Sequence, residues 1–482
     1  MTDWEPVIGI EVHVELRTAS KMFCSCPVVF GGEPNTAICP VCLGLPGALP
    51  VTNGTAIEWL ETIGLALNCR IAPASVFHRK NYFYADLPKN YQVSQYDLPV
   101  CHDGYFDVSL DGEQIRVGIE RAHMEEDTGK SLHQGVGGRI HHASSTLIDF
   151  NRSGVPLVEI VSRPDLRSPS QARAYAQQLR ALVAELEVSD ARMEEGSIRF
   201  DANVSVRQAG GSTLGTKVEI KNMNSFRSLE RAIAAEITRQ IEVLESGGTL
   251  LQETRHWDEE AATTRGMRSK EESSDYRYFA EPDLVPMRFE PAEVEKLAAA
   301  LPELPSQRLA RLAGLGLDEH LASLVNGADS GVRRLFDEAV DLGADPTAAA
   351  NWLTGEFTAT VRRLEVAVEQ VPFTASDLTE LLQMVAEGRV STSAAKEILT
   401  GVVAGEGRPA AVAAARDLFQ VSDESMIAAA VDEVLATNAE AIDRFRSGED
   451  KVLGFLVGQV MRATGGKADP KVVNSLLRQR LR

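Results

Sequence analysis

Residues 7–16 read VIGIEVHVEL, and their alternation decides the fold. Ile8, Ile10, Val12, Val14 and Leu16 fall on one side of an extended chain, because successive side chains of a strand point to opposite faces. Gly9, Glu11, His13 and Glu15 fall on the other. The first face belongs in a core. The second aligns carboxylate, imidazole and carboxylate, which pack poorly but suit a hard cation. Gly9 is expected to leave open space beside them. A solvated strand face would look the same, so this stretch alone leaves both readings open.

Later strands carry matching rows. In SIRFDANVSVR, residues 197–207, Ser197, Arg199, Asp201, Asn203 and Ser205 share one face, with Ile198, Phe200, Ala202, Val204 and Val206 on the other. In TKVEIKN, residues 216–222, Lys217, Glu219 and Lys221 align. RAHMEEDTGKSLH, residues 121–133, puts His123 and Glu125 on one face and holds three consecutive acids, Glu125, Glu126 and Asp127. Such a run repels itself unless solvated or neutralised by cations. Several polar rows with acids on at least three strands and bases between them suggest a cleft for a phosphorylated ligand and its metal. Antiparallel sheets often leave one face open in this way. Gly129-Lys130-Ser131 is not a phosphate loop of the Walker type, since Met124 stands where that pattern needs glycine.

The remaining elements frame these strands. Residues 105–120 read as a hairpin around Asp111-Gly112, and 147–162 as two strands around Arg152-Ser153-Gly154. Residues 54–67, 168–186 and 225–247 have helical periodicity. Between the first strand and the first helix lie Cys24-x-Cys26 and Cys39-x-x-Cys42, in a segment rich in Gly and Pro. Four clustered thiols at this spacing can close a tetrahedral zinc site that substitutes for a missing core; free thiols are the alternative. Cys69 and Cys101 read as buried thiols. Residues 81–97, NYFYADLPKNYQVSQYD, hold four tyrosines and a phenylalanine among amides and charges, just after His78, Arg79 and Lys80. They suit a core or a binding surface, and Arg79, Lys80 and Lys89 suit phosphate. Residues 265–279 mix Arg265, Arg268, Lys270 and Arg277 with Glu271, Glu272, Asp275, Tyr276 and Tyr278.

The chain of 482 residues carries a net charge of −20, against a generally basic nucleic-acid wrapper but not against a local patch. Such a patch closes the chain: Lys451, Arg462, Lys467, Lys471, Arg478, Arg480 and Arg482 face one acid, Asp469. No uninterrupted apolar run is long enough for a membrane span and the N-terminus is acidic, so a cytoplasmic, membrane-free protein is expected. From about residue 295 strand patterns give way to Ala-rich helical periodicity, and GVVAGEGRPAA, residues 401–411, reads as a linker. The expected organisation is α+β: an antiparallel-sheet domain at 1–294 with a Cys knob at 24–42, a helical domain at 295–408 and a helical tail domain at 409–482.

GIEVHVEL, CPVCLGLPGALP, RKNYFYADLPKNYQ, HMEEDTGK, DFNRSGVPLVEI, MEEGSIRFDANVSVR, VEIKNMNSF, YRYFAEPDLVP and VLGFLVGQVMRAT run in order along nearly the whole chain. As a set they resemble the B-subunit family of the aspartyl/glutamyl-tRNA(Asn/Gln) amidotransferases. Ala85 and Phe200 depart from residues common in that family, proline and cysteine, without removing a charge. The resemblance implies a first domain like the catalytic fold of glutamine synthetase. It implies that ATP phosphorylates the side-chain carboxylate of Glu or Asp misacylated on tRNA(Gln) or tRNA(Asn), and that ammonia then displaces phosphate. Glu11, His13, Glu125, Glu126 and Asp201 are the expected catalytic residues and Mg2+ ligands. Lys80, Lys130, Arg199, Lys217 and Arg268 are the expected contacts to ATP and phosphate, and Cys24, Cys26, Cys39 and Cys42 the structural Zn2+ ligands. No amidase-type Gly-Ser-Ser-Gly-rich segment occurs, so the ammonia is expected from the family's amidase (glutaminase) partner, its A-subunit, with the small C-subunit as a further partner. The tail beyond about residue 410 is expected to contact tRNA. A free-standing ligase would not need that tail, and a tRNA-binding scaffold would not need the aligned acids.

Overall fold

The alternating stretch forms strand β1 (Trp4–Glu15), with Ile8, Ile10, Val12 and Val14 at most 1% exposed on its core face. The computed structural model describes residues 4–134, 144–269, 276–420, 424–446, 449, 451–464, 468 and 470–481. Contacts divide the chain into two compact units, residues 1–306 and 307–482.

The first unit has short strands β2 (Arg70–Ile71), β3 (Ala74–Ser75), β4 (His78–Asn81) and β5 (Tyr91–Ser94). Long strands β6 (Cys101–Leu110) and β7 (Glu113–Glu126) follow, then β8 (Lys130–Gln134), β9 (Ser145–Asp149), β10 (Pro156–Ser162), β11 (Ile198–Gln208) and β12 (Val218–Lys221). Last come β13 (Glu253–Asp258), β14 (Thr263–Ser269), β15 (Phe279–Ala280) and β16 (Met287–Arg288). Among the described residues nine of them build one sheet in the order β14-β13-β12-β11-β1-β10-β7-β6-β2, so β1 is the middle strand. The β6–β7 hairpin turns at Asp111-Gly112, both at positive φ as a tight two-residue hairpin turn requires. The two strands expected around Arg152-Ser153-Gly154 form, but β9 pairs with β8 and β10 enters the large sheet.

Three helices lie on the sheet's apolar face: α1 (Gly54–Ala66), α2 (Pro169–Glu185) and α3 (Phe226–Glu245). Asn53, Ser168 and Ser225 cap them by accepting from backbone N–H groups of their first turns. Their apolar sides meet the core face of β1 in one cluster that includes Leu60, Ile63, Tyr175, Leu179, Leu229 and Ile233. The sheet is mixed where an antiparallel one was expected. β12 and β13 run parallel, because α3 carries the chain across the sheet between them. Gly9 also departs from expectation. A Cβ there would sit 3.6 Å from Pro164, so the segment after β10 fills that space.

Helix α4 (Pro291–Ala299) packs against α1, and Leu301 and Leu304 add to the first core, so the first unit runs past residue 294. The second unit is helical among its described residues. It holds two separate apolar clusters, one from Leu312 to Ala413 and one from Ile427 to Leu481. No helix among the described residues is long and apolar enough to cross a membrane.

Candidate active site

The sheet's second face carries the polar rows, and register brings them together. On β1, His13 pairs with Glu159 of β10, and Glu159 pairs with His123 of β7. On the other side Glu11 pairs with Asp201 of β11, and Asn203 with Glu219 of β12. Two ligand sets result. His13, Glu125 and Glu159 place one donor atom each within 4.8 Å of one another, and so do Glu11, Asp201 and Glu219.

Each set has its own basic partners. Lys80 Nζ lies 3.8 Å from Glu125, and His123 Nε2 lies 3.6 Å from Glu125 and 3.4 Å from Glu159. Ser94 and Gln92 donate to Glu125 at 2.8 and 3.1 Å. Burial raises the proton affinity of Glu125, but Lys80, His123 and His13 outweigh it and hold the carboxyl well below its usual range. In the second set Lys221 donates to Asp201 at 2.6 Å and lies 3.3 Å from Glu219. Glu11 takes a hydrogen bond from Asn203 Nδ2 at 2.8 Å, while burial and then Glu159, Glu219 and Asp201 push its pKa up. Asn203 Oδ1 is buried with no partner. An orphaned oxygen beside three crowded carboxylates is the donor set a hard divalent cation takes, so these residues fit Mg2+. A third cluster closes one end. Arg199 donates to Asp127 at 2.9 Å, Arg152 lies 3.7 Å from Asp127, and Glu15 faces both arginines. Burial opposes ionisation of Asp127, yet Arg199 and Arg152 bring its carboxyl down to about 2.

A cavity of about 230 Å³ opens among these groups, lined by His13, Lys80, Glu125, Asp127, Arg199 and Asp201. The expected residues do not all reach it. Glu126 follows Glu125 on a strand and so points to the opposite face, where Lys89 and the Val93 N–H bind it. Lys130 and Lys217 are exposed and do not line the cavity. The backbone of Arg268, on β14, pairs with Thr254 of β13, while its side chain lies outside the described residues, as do Lys270, Glu271, Glu272 and Asp275. Sequence reasoning missed Glu159, a single acid in the otherwise apolar PLVEIVS, and left Glu219 and Lys221 unassigned on an aligned row. It also missed Asp127 with Arg152, whose contact depends on a turn.

The Cys knob forms as a loop without helix or strand of its own. Cys24, Cys26, Cys39 and Cys42 bring their sulfurs within 4.8 Å of one another, with Cys39 and Cys42 3.9 Å apart. Thiolates on one zinc stand about 3.8 Å apart, given Zn–S bonds of about 2.3 Å, so the cluster fits a structural metal. Hydrogen bonding from Cys24 lowers the Cys42 thiol to about 5, whereas burial pushes Cys26 up to about 11. The buried Lys21 ammonium lies 3.9 Å from Cys42 and donates to Ala37 O at 2.8 Å.

A family model described as the GatB/GatE catalytic domain matches residues 6–295, and one described as the GatB domain matches 334–481. The B-subunit of the aspartyl/glutamyl-tRNA(Asn/Gln) amidotransferase of Moorella thermoacetica is 50% identical over 481 residues, 99% of this chain and 100% of that one. The chain belongs to this amidotransferase B-subunit family. The B-subunits from Nocardioides sp. and Salinispora tropica are 48% and 50% identical, covering 100% and 99% of this chain and 98% and 96% of theirs. The catalytic-domain match ends within α4, and every residue of both carboxylate sets lies inside it.

Proposed function

We propose that this chain is the transamidating subunit of a tRNA-dependent amidotransferase. It would convert Glu-tRNA(Gln), Asp-tRNA(Asn) or both to the amides. The observation that carries the reading is the polar sheet face, where His13 and Glu125 of one carboxylate set and Asp201 of the other line one cavity with the bases Lys80 and Arg199, the remaining members Glu159, Glu11 and Glu219 lying within 4.8 Å of their set partners. A carboxylate is a poor acceptor for ammonia. An oxygen of the substrate carboxylate therefore takes the γ-phosphoryl group of ATP, and ADP leaves. Ammonia then bonds to the carbonyl carbon, the C–O bond to phosphate breaks, and inorganic phosphate leaves. Such chemistry needs mainly positioning and neutralisation of charge. Lys80 and Arg199 lie where they would meet phosphoryl oxygens. The cavity has room for the reacting groups, with the rest of each substrate outside it.

His13, Glu125 and Glu159, and Glu11, Asp201 and Glu219, would each hold Mg2+, which supplies compensating charge for the phosphates when bound. Glu126 is not among these ligands in our reading, because it faces Lys89. The four cysteines would hold a structural Zn2+. Ammonia would come from an amidase A-subunit assembled with a small C-subunit, in the cytoplasm, and the tail would hold the tRNA. The test is to purify the chain with its natural partners and assay ATP turnover with each misacylated tRNA. Turnover that depends on misacylated tRNA supports the reading. Turnover with a free carboxylic acid would favour a stand-alone ligase, and tRNA binding without turnover would favour a scaffold.

A further inference from the structure

Six of the chain's eight tyrosines lie on one side of the first unit, in residues 82–96 and 276–278. Five of them form a continuous row. Tyr84 meets Tyr82 with ring centroids 6.4 Å apart, Tyr82 meets Tyr276 at 6.1 Å, and Tyr276 meets Tyr278 at 6.1 Å. Tyr278 then stacks on Tyr96 at 4.4 Å with planes 13° apart. Clustered tyrosines usually fill a core. These five do not, because none of them packs against the unit's apolar cluster, whereas the sixth, Tyr91, does. Tyr84 and Tyr96 are 55% and 49% exposed, so the rings are held by one another with an aromatic surface left open.

The row adjoins the cavity. Tyr82 donates to Gln92 at 3.3 Å, and Gln92 in turn donates to Glu125 at 3.1 Å. Lys80 Nζ sits 5.4 Å from the centre of the Tyr276 ring and 3.8 Å from Glu125. Arg277 is exposed between Tyr276 and Tyr278. Open aromatic faces interleaved with cations are how proteins hold unpaired nucleic acid, with bases on the rings and phosphates on the cations.

We propose that this row is the platform for the unpaired bases at the 3′ end of the substrate tRNA. The proposal rests on the transamidation reading, in which the amino acid on that end must enter the cavity beside Glu125. The row's length favours a strand over the adenine of ATP, since ATP brings a single base and the row offers several rings in succession. Its cations and hydroxyls set it apart from a purely apolar docking patch for a protein.

The test is the double variant Tyr96→Ala/Tyr278→Ala, with Tyr96→Phe/Tyr278→Phe as the form that keeps the rings. In the complete complex the alanine form should raise KM for misacylated tRNA about tenfold, the loss expected when a base–aromatic stack is removed. KM for ATP should stay unchanged, and the phenylalanine form should behave like wild type. Tyr84→Ala, at the exposed end of the row, gives a second reading should the double variant fold poorly. A rise in KM for ATP alone would overturn the proposal and put adenine on the row. Loss of the partner proteins with tRNA KM unchanged would overturn it in favour of a protein interface, and no change in either KM would also overturn it. Anisotropy of a labelled single-stranded oligoribonucleotide with the tRNA 3′-terminal sequence, titrated with the full-length chain, separates the two claims. If the wild-type complex shows no tRNA-dependent turnover, the functional reading has failed, while ring-dependent binding of the oligonucleotide still decides the platform.

Discussion

Glu15 shows how much burial and its neighbours change an acid. It lies on the same strand face as Glu11 and His13, but its company is Asp127, Arg152 and Arg199. Burial first, and then Asp127, push its carboxyl up from 4.5 to about 8, with the two arginines only partly opposing. A carboxyl whose proton affinity rises on folding stabilises the fold while protonated. That contribution is complete below the ordinary 4.5 and is lost as pH climbs through about 8. Glu15→Gln cannot ionise, so its stability should gain on wild type between pH 5 and pH 8.5. We expect roughly 2 kcal/mol once solvent screening is allowed for. Denaturant unfolding at the two pH values checks this, and a difference between the proteins that does not change with pH would contradict the environment described for Glu15.

Among the elements, the knob makes the sharpest prediction, because no helix or strand of its own holds it together. Hydrogen bonds from its neighbours do part of the work: Ala37 N–H donates to Asn151 at 2.8 Å, and Asn151 Nδ2 to Glu33 O at 2.7 Å. A metal on the four sulfurs would supply the rest. Metal analysis should find about one zinc per wild-type chain and none in Cys42→Ser, with a lower melting temperature for the first unit. Cys69→Ser should keep its zinc, as Cys69 is a separate buried thiol. Equal metal content in wild type and Cys42→Ser would rule the site out. The elements were also where the sequence could be read best. Period-two alternation exposed the core and site faces of β1 and β11, and helical periodicity placed α1, α2 and α3. Pairing partners were not legible, because strand register is a long-range property. Glu159 joins the site only through pairing with His13 and His123. Glu126 leaves it because alternation continues through three consecutive acids that look equivalent on paper. The parallel β12–β13 pair was hidden for the same reason, since only the path of α3 decides it.

The carboxylate site lies in the first unit, while the tail expected to contact tRNA lies in the second. The last apolar cluster, from Ile427 to Leu481, is separate from the one before it, so removing it should leave the first unit's unfolding transition unchanged. Lys451, Arg462, Lys471, Arg478 and Arg480 go with it; Arg480 already pairs with Asp432 at 3.1 Å, and Lys467 and Arg482 lie outside the described residues. Truncation before residue 424 should weaken tRNA binding and flatten its dependence on salt. Unchanged affinity and slope would remove the tail from the tRNA site. If the polar sheet face activates the substrate carboxylate, Glu11→Gln should stop that step, because the change keeps shape and removes charge. The measurement is formation of the phosphorylated aminoacyl-tRNA by the complete complex, with ATP and misacylated tRNA, and amide formation with ammonium supplied directly. We expect a folded variant that binds tRNA like wild type but forms both products about 100-fold more slowly or worse. Transamidation by Glu11→Gln at near the wild-type rate would contradict it.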